Sequence, residues 1–231
     1  LIGGGQEIHV GEEAGIGQWR EAIDRSALRS EWQVHLPENL AEHFEGAGLN
    51  LEIRPELNLD TELRFHLAPK FHEFVRRILE GDDPSEIKLL CDDLVEKGMR
   101  FWVTEHLDLA KKYLEDRYDN QPEARYGLMA SSKDKVLVNH GVPNDFQATR
   151  RVKLGPWYSN ERGEEHSCCN LEEVVTEFGS QGLELDMTLL AWGTDFIRSD
   201  GRWSNALARG YRRGVVVKDP FKLRMNADRV L

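Results

Sequence analysis

Short apolar runs alternate with stretches of helical periodicity along this chain, and the spacing predicts most of its elements. Gln18 to Leu28 reads as a helix with Trp19, Ala22 and Ile23 on one face, and Trp32 to Leu36 as a short strand. Leu67 to Leu79 is strongly amphipathic, with Phe71, Phe74, Val75 and Ile78 at helical spacing. Asp82-Asp83-Pro84-Ser85 breaks that helix, Asp83 or Ser85 can cap the next one to about Glu96, and Gly98 ends it. The pattern then predicts a strand at Met99 to Thr104, a helix at Leu107 to Tyr118 and a strand at Tyr126 to Ala130. Ser131-Ser132 reads as the cap of a short helix, Leu171 to Phe178 as a helix, and Met187 to Trp192 and Tyr211 to Val217 as strands. The last helix runs from Phe221, after Asp219-Pro220. At the other end Leu1, Ile2, Ile8 and Val10 read as a strand around the turn Gly3 to Gly5.

Strand and helix in alternation predict an α/β fold with a parallel sheet and flanking helices. Residues 139–170 interrupt that alternation. They are polar and rich in turns, and read as an inserted loop region over one sheet edge. Trp157 and Tyr158 within them read as a lid over a core edge, with base stacking as the competing role.

Composition narrows the class. At 231 residues, 40% hydrophobic and 31% charged, the chain has the make-up of a soluble globular protein of one large or two small domains. No apolar run approaches the ~20 residues of a membrane helix, so no membrane partner is expected. The net charge of −11 argues against non-specific nucleic-acid binding by the chain as a whole. Local cationic groups remain. Arg76-Arg77 reads as a solvated face, whereas Arg150-Arg151 with Lys153 is a candidate nucleic-acid contact. Cys91 and the adjacent Cys168-Cys169 make no disulfide framework and fit a reducing cytoplasm. His166-x-Cys168-Cys169 lacks a standard ligand spacing, so no metal site is expected.

Two stretches carry candidate chemistry. Gln181 to Asp186, QGLELD, puts Gly182 and one carboxylate, Glu184, just before an apolar run. Gly3 to Glu12, GGGQEIHVGE, sits at the opposite end, and no GxxxxGK[ST] phosphate loop occurs between them. With GGGQEIHVGEEAGIGQW, LDTELRF, RYGLMASS, TEFGSQGLELD and RMNADRVL in that order, the chain resembles the Schlafen-type DNA/RNA helicase domain of superfamily 1. The resemblance spans nearly the whole chain.

The resemblance implies a RecA-like parallel sheet, the second RecA-like domain of a P-loop NTPase, at residues 37–231, and a remnant of the first at 1–36. It implies an ATP-dependent DNA/RNA helicase or translocase whose phosphate loop lies in a missing N-terminal RecA-like domain. Gln6 matches a γ-phosphate-sensing glutamine and Arg64 an arginine aimed at the γ-phosphate. A neutral amide and a forked guanidinium suit those roles. Glu184 matches a ribose-hydroxyl acceptor, with Gly182 allowing close approach, and Thr176 and Gln181 lie where the family contacts the nucleic-acid backbone. ATP and Mg²⁺ are then cofactors of the intact protein, neither held tightly by this chain alone, and single-stranded DNA or RNA is the partner. Two rival readings are a non-enzymatic RecA-like interaction module and a metal-dependent nuclease built on Glu184, Asp186 and Asp195.

Overall fold

A computed structural model describes residues 7–46, 48–58 and 70–231. The strand expected around Leu1 and Ile2, the site residues Gln6 and Arg64, and the start of the helix at Leu67 lie outside the described residues. Ile8 is described and buried, but residues 7–10 are irregular and lead into a turn rather than forming a strand. This segment docks on the last helix: the Asn226 side-chain amide donates to the Glu7 carbonyl at 3.1 Å.

The first elements are α1 (Gly17–Asp24), β1 (Gln33–Leu36) and β2 (Asn50–Ile53), the two strands pairing in parallel. Ile23, Leu36 and Phe44 form their small core. Trp19 and Ala22 face solvent, so the apolar face of α1 is narrower than its periodicity suggests. A helical hairpin follows, α2 (Phe71–Glu80) and α3 (Pro84–Glu96), closed around Phe74 and Leu94. Gly81, at φ 80°, ends α2, and the Asp83 carboxylate accepts from the Ser85 N–H to start α3.

The main body contains α4 (Leu107–Arg117), β3 (Tyr126–Ala130), α5 (Phe146–Arg151), α6 (Leu154–Ser159), β4 (Val174–Val175), α7 (Glu177–Ser180) and β5 (Met187–Ala191). The hairpin β6 (Ile197–Ser199) and β7 (Arg202–Ser204) and the helix α8 (Pro220–Val230) complete it. The sheet order is β4-β3-β5, all parallel, with Leu128 opposite Val174 and Leu189. Every residue of β3 is buried, as a central parallel strand covered on both faces must be. Trp157, Tyr126, Leu128, Leu171, Val174 and Val175 are among the largest apolar contributors to this core, and each aliphatic one stabilises by roughly 1.5–3 kcal/mol when fully buried. Gly127 has to be glycine: a Cβ there would lie 2.7 Å from the Trp157 ring.

Trp157 is therefore central to the core, not a lid at its edge. Residues 139–170 lie within the crossover from β3 to β4 and carry α5 and α6, so they are part of the fold's helical layer and not an inserted loop, and Cys168 and Cys169 are buried with Trp157.

Four expected elements differ. Met99 to Thr104 is irregular. Its aromatics serve side-chain packing, with Phe101 5.1 Å from Phe74 and Trp102 6.0 Å from Tyr113 between ring centres, while Val103 is fully exposed. Tyr211 to Val217 is also irregular, because Gly214 at φ 84° turns the chain and, among the described residues, no strand lies alongside. Within Leu171 to Phe178 only the tail is helical. Val174-Val175 is a strand, since a fully buried β-branched pair fits a parallel sheet. Ser131-Ser132 caps no helix: the next turn, Leu137–His140, is started by the Asp134 carboxylate, which accepts from the Val136 and Leu137 N–H groups.

Among the described residues, no helix is long and apolar enough to cross a membrane.

Candidate functional site

The carboxyl ends of three parallel strands meet the flank of α8, and a buried charged network fills the junction. Glu177, the first residue after Thr176 at the end of β4, accepts from the Ser132 N–H at 2.9 Å and from the Ser132 hydroxyl at 2.7 Å. Asp195, just past β5, accepts a short hydrogen bond from the Ser131 hydroxyl. Arg224 of α8 lies among three carboxylates: Nη1 is 3.3 Å from Glu177, and Nε is 3.5 Å from Asp195 and 3.2 Å from Asp228. These four side chains are 2–5% exposed.

One guanidinium among three carboxylates sets the electrostatics. Burial works against the Arg224 charge, but Asp228, Glu177 and Asp195 outweigh it and hold the group more firmly protonated than usual. Burial also pushes Asp228 up, to about 7, against the pull of Arg224. Asp195 is raised by burial too, although Ser131 and Arg224 pull it down. Asp134 shows the opposite balance. Burial would raise it, but the N–H groups of Leu137, Thr194 and Val136 bring it below the ordinary carboxylate range. Its grip on Thr194 explains Gly193, where a Cβ would lie 2.1 Å from an Asp134 oxygen.

Over this network opens a cleft of about 180 Å³, lined by His9, Lys133, Glu177, Phe178, Tyr211 and Arg224 among others. The His9 and Phe178 rings meet with centroids 5.3 Å apart, and Lys133 Nζ sits 3.9 Å from the centre of the Tyr211 ring. Burial lowers the Lys133 pKa. Arg224 Nη2 is buried and has no hydrogen-bond partner among the described residues.

The residues singled out in sequence fall around this site unevenly. Thr176 is buried at the end of β4, and α7 carries the chain to exposed Gln181 and Gly182. Arg150 and Arg151 are exposed at the end of α5, which packs along β4. Leu154, at the start of α6, packs against Gly179 of α7, where a Cβ would meet it at 3.0 Å. The basic run and Thr176 to Gln181 thus share one edge. Glu184 lies elsewhere, exposed before the amino end of β5, with its carbonyl accepting from the Tyr158 hydroxyl at 2.9 Å. Asp186 is also at that end, its carboxylate accepting from the Arg125 N–H at 2.7 Å. The nuclease trio is therefore not assembled: Asp195 is beyond the opposite end of β5, a five-residue strand spanning roughly 17 Å. Among the described residues no His, Cys, Asp or Glu group is arranged to hold a metal ion.

Arg224, Asp228, Lys133, Phe178 and Tyr211 were not singled out from sequence. The i,i+4 pair Arg224 and Asp228 was readable, but a buried pair and a solvated one look alike in letters.

A model described as "Schlafen group 3, DNA/RNA helicase domain" matches residues 1–229. No curated protein and no solved structure matches the chain. With that match running through the residues that build the strand ends, the cleft and α8, the chain belongs to the Schlafen group 3 DNA/RNA helicase domain family.

Proposed function

We propose that this chain works in a superfamily 1 ATP-dependent DNA/RNA helicase or translocase, as its second RecA-like domain with a short piece of the first at residues 1–36. The observation that carries the reading is the helicase-family match over residues 1–229. Three structural features support it. The parallel β4-β3-β5 order agrees with an α/β motor domain. The edge shared by Arg150, Arg151, Thr176 and Gln181 offers cations beside a buried hydroxyl for a sugar–phosphate backbone. Gly182, at φ 81° with open space where a Cβ would stand, leaves room for a ribose near exposed Glu184.

These residues fit the sugar side of a nucleotide, not its phosphates, because no Walker phosphate loop occurs in the sequence. ATP with Mg²⁺ supplies phosphoryl-transfer energy when bound, and the proposed roles of this chain are to orient and to sense. Gln6 and Arg64 are the proposed γ-phosphate groups. Downstream of Gln6, Glu7 is tied to Asn226 on α8, and Arg224 on the same helix reaches Glu177 beside Thr176. That path links the proposed nucleotide side to the proposed nucleic-acid edge.

The test is nucleic-acid-stimulated ATP hydrolysis by a protein that joins this chain to a phosphate-loop domain. Arg64→Ala should lower kcat on the order of 10²-fold with little change in ATP affinity, as for other cationic phosphoryl clamps. A kcat within a few-fold of wild type would remove Arg64 from the site. Absence of nucleic-acid binding and of hydrolysis altogether would leave the interaction-module reading.

A further inference from the structure

We propose that the cleft between α7 and α8 takes one unstacked nucleobase of the bound strand and prefers a base with a ring carbonyl. This rests on the nucleic-acid reading above and names the part of the strand that enters the site.

Arg224 carries an unmet donor. Arg224 spends Nε on Asp228 and Asp195 and Nη1 on Glu177, which leaves Nη2 buried with no partner among the described residues. A buried donor without an acceptor is destabilising, so a ligand supplying one recovers that cost. Arg224 lines the cleft, and Nη2 is its one guanidinium nitrogen without a partner among the described residues.

Charge decides what kind of acceptor fits. Around the cleft, Arg224 and Lys133 face Glu177, Asp195 and Asp228. Even with Asp228 only partly ionised near neutrality, the carboxylates balance the two cations and leave no surplus for a phosphate, and the two cations oppose a metal ion. A neutral acceptor suits the site, and a carbonyl oxygen is the strongest common one.

The walls decide its shape. His9, Phe178 and Tyr211 are all lining residues, and Phe178 is 47% exposed although it touches His9. Aromatic side chains around a cleft of about 180 Å³ suit one flat heterocycle. Phe178 follows Thr176 by two residues, so a base entering here belongs to a backbone passing Thr176. Thymine, uracil, cytosine and guanine each carry a ring carbonyl, and adenine does not.

The experiment measures fluorescence anisotropy with labelled strands of abasic sugar-phosphate units carrying one central base. That base is thymine, hypoxanthine, adenine or absent, so all four strands have the same backbone charge. Hypoxanthine differs from adenine in presenting a carbonyl where adenine has an amine. Thymine and hypoxanthine strands should bind about tenfold more tightly than adenine and base-free strands. Phe178→Ala, at a half-exposed position that folding tolerates, should reduce that difference to within about twofold. Equal binding of all four strands overturns the pocket and leaves the helicase reading standing. Adenine binding as tightly as hypoxanthine overturns the Arg224 contact and with it the proposal. A preference that survives Phe178→Ala places the base elsewhere and also overturns it. If no strand binds at all, the nucleic-acid reading fails together with the pocket.

Discussion

The two ends of the β4-β3-β5 sheet are built from similar letters and behave in opposite ways. At the carboxyl end, Glu177, Asp195 and Asp228 are buried around Arg224, and each depends on its partners for a tolerable environment. At the amino end, Glu184 and Asp186 are exposed to solvent, and Asp186 serves the main chain of Arg125. A carboxylate in water costs little to keep and little to lose. One taken out of water is tolerated only while its counter-charge and donors stay in place. The comparison therefore locates the sensitive chemistry at the carboxyl end, where open α/β sheets bind their ligands.

The largest expected effect breaks the carboxyl-end network. Arg224→Met should destabilise the protein by roughly 3–5 kcal/mol, because three buried carboxylates lose their shared guanidinium. Urea denaturation at neutral pH measures it. A loss under about 1 kcal/mol would mean the network is as wet as the amino end.

Next comes pH. Asp228 has a folded pKa near 7 against an ordinary carboxyl value near 4, so the folded state binds more protons across that interval. Its contribution makes stability fall as pH rises from about 4 to about 7, with no further change above. Asp134, shifted downward, contributes in the opposite sense and below that window. Asp228→Asn should flatten the fall between pH 5 and pH 7, an effect on the order of a few kcal/mol. An unchanged pH profile would assign the fall to another group.

Gly193→Ala should cost about 1–3 kcal/mol by pushing its new methyl into the Asp134 carboxylate. Thermal unfolding reads this against Gly182→Ala at the α7–β5 loop. There space is open, and only the φ of 81° opposes a side chain, at about 1 kcal/mol. Equal penalties would erase the contrast in packing.

The smallest effect is at Glu184. Glu184→Gln should change stability by no more than about 0.5 kcal/mol, as for an exposed side chain. In a protein that hydrolyses ATP the same variant should raise KM and spare kcat, because the proposed ribose contact is made before and during the reaction. An unchanged KM would leave Glu184 a surface carboxylate.

Much of the fold was legible because its strongest signals are local. Tyr126 to Ala130 and Met187 to Ala191 are short apolar runs bounded by polar residues, and they became the two longest strands of the main sheet. Asp83 and Asp219 each precede a proline and cap the helix that follows. Met99 to Thr104 has the same apolar character but no neighbour to pair with, and pairing is not written in a segment's own letters. Val174-Val175 was hidden for the converse reason, since two residues are too few to show a period.

The candidate site divides along the same line. Thr176, Gln181, Gly182 and Glu184 stand close in sequence and could be named from one motif, although Glu184 settles away from the cleft. The sequence by itself determined the α/β class, the bounds of α3 and α4, the start of α8 and the family. Those rest on periodicity, capping and ordered motifs, which act over a few residues at a time. Only the tertiary structure decided which carboxylates are costly. Glu177, Asp195 and Arg224 lie far apart along the chain, and their burial exists only once the strand ends and α8 close over them.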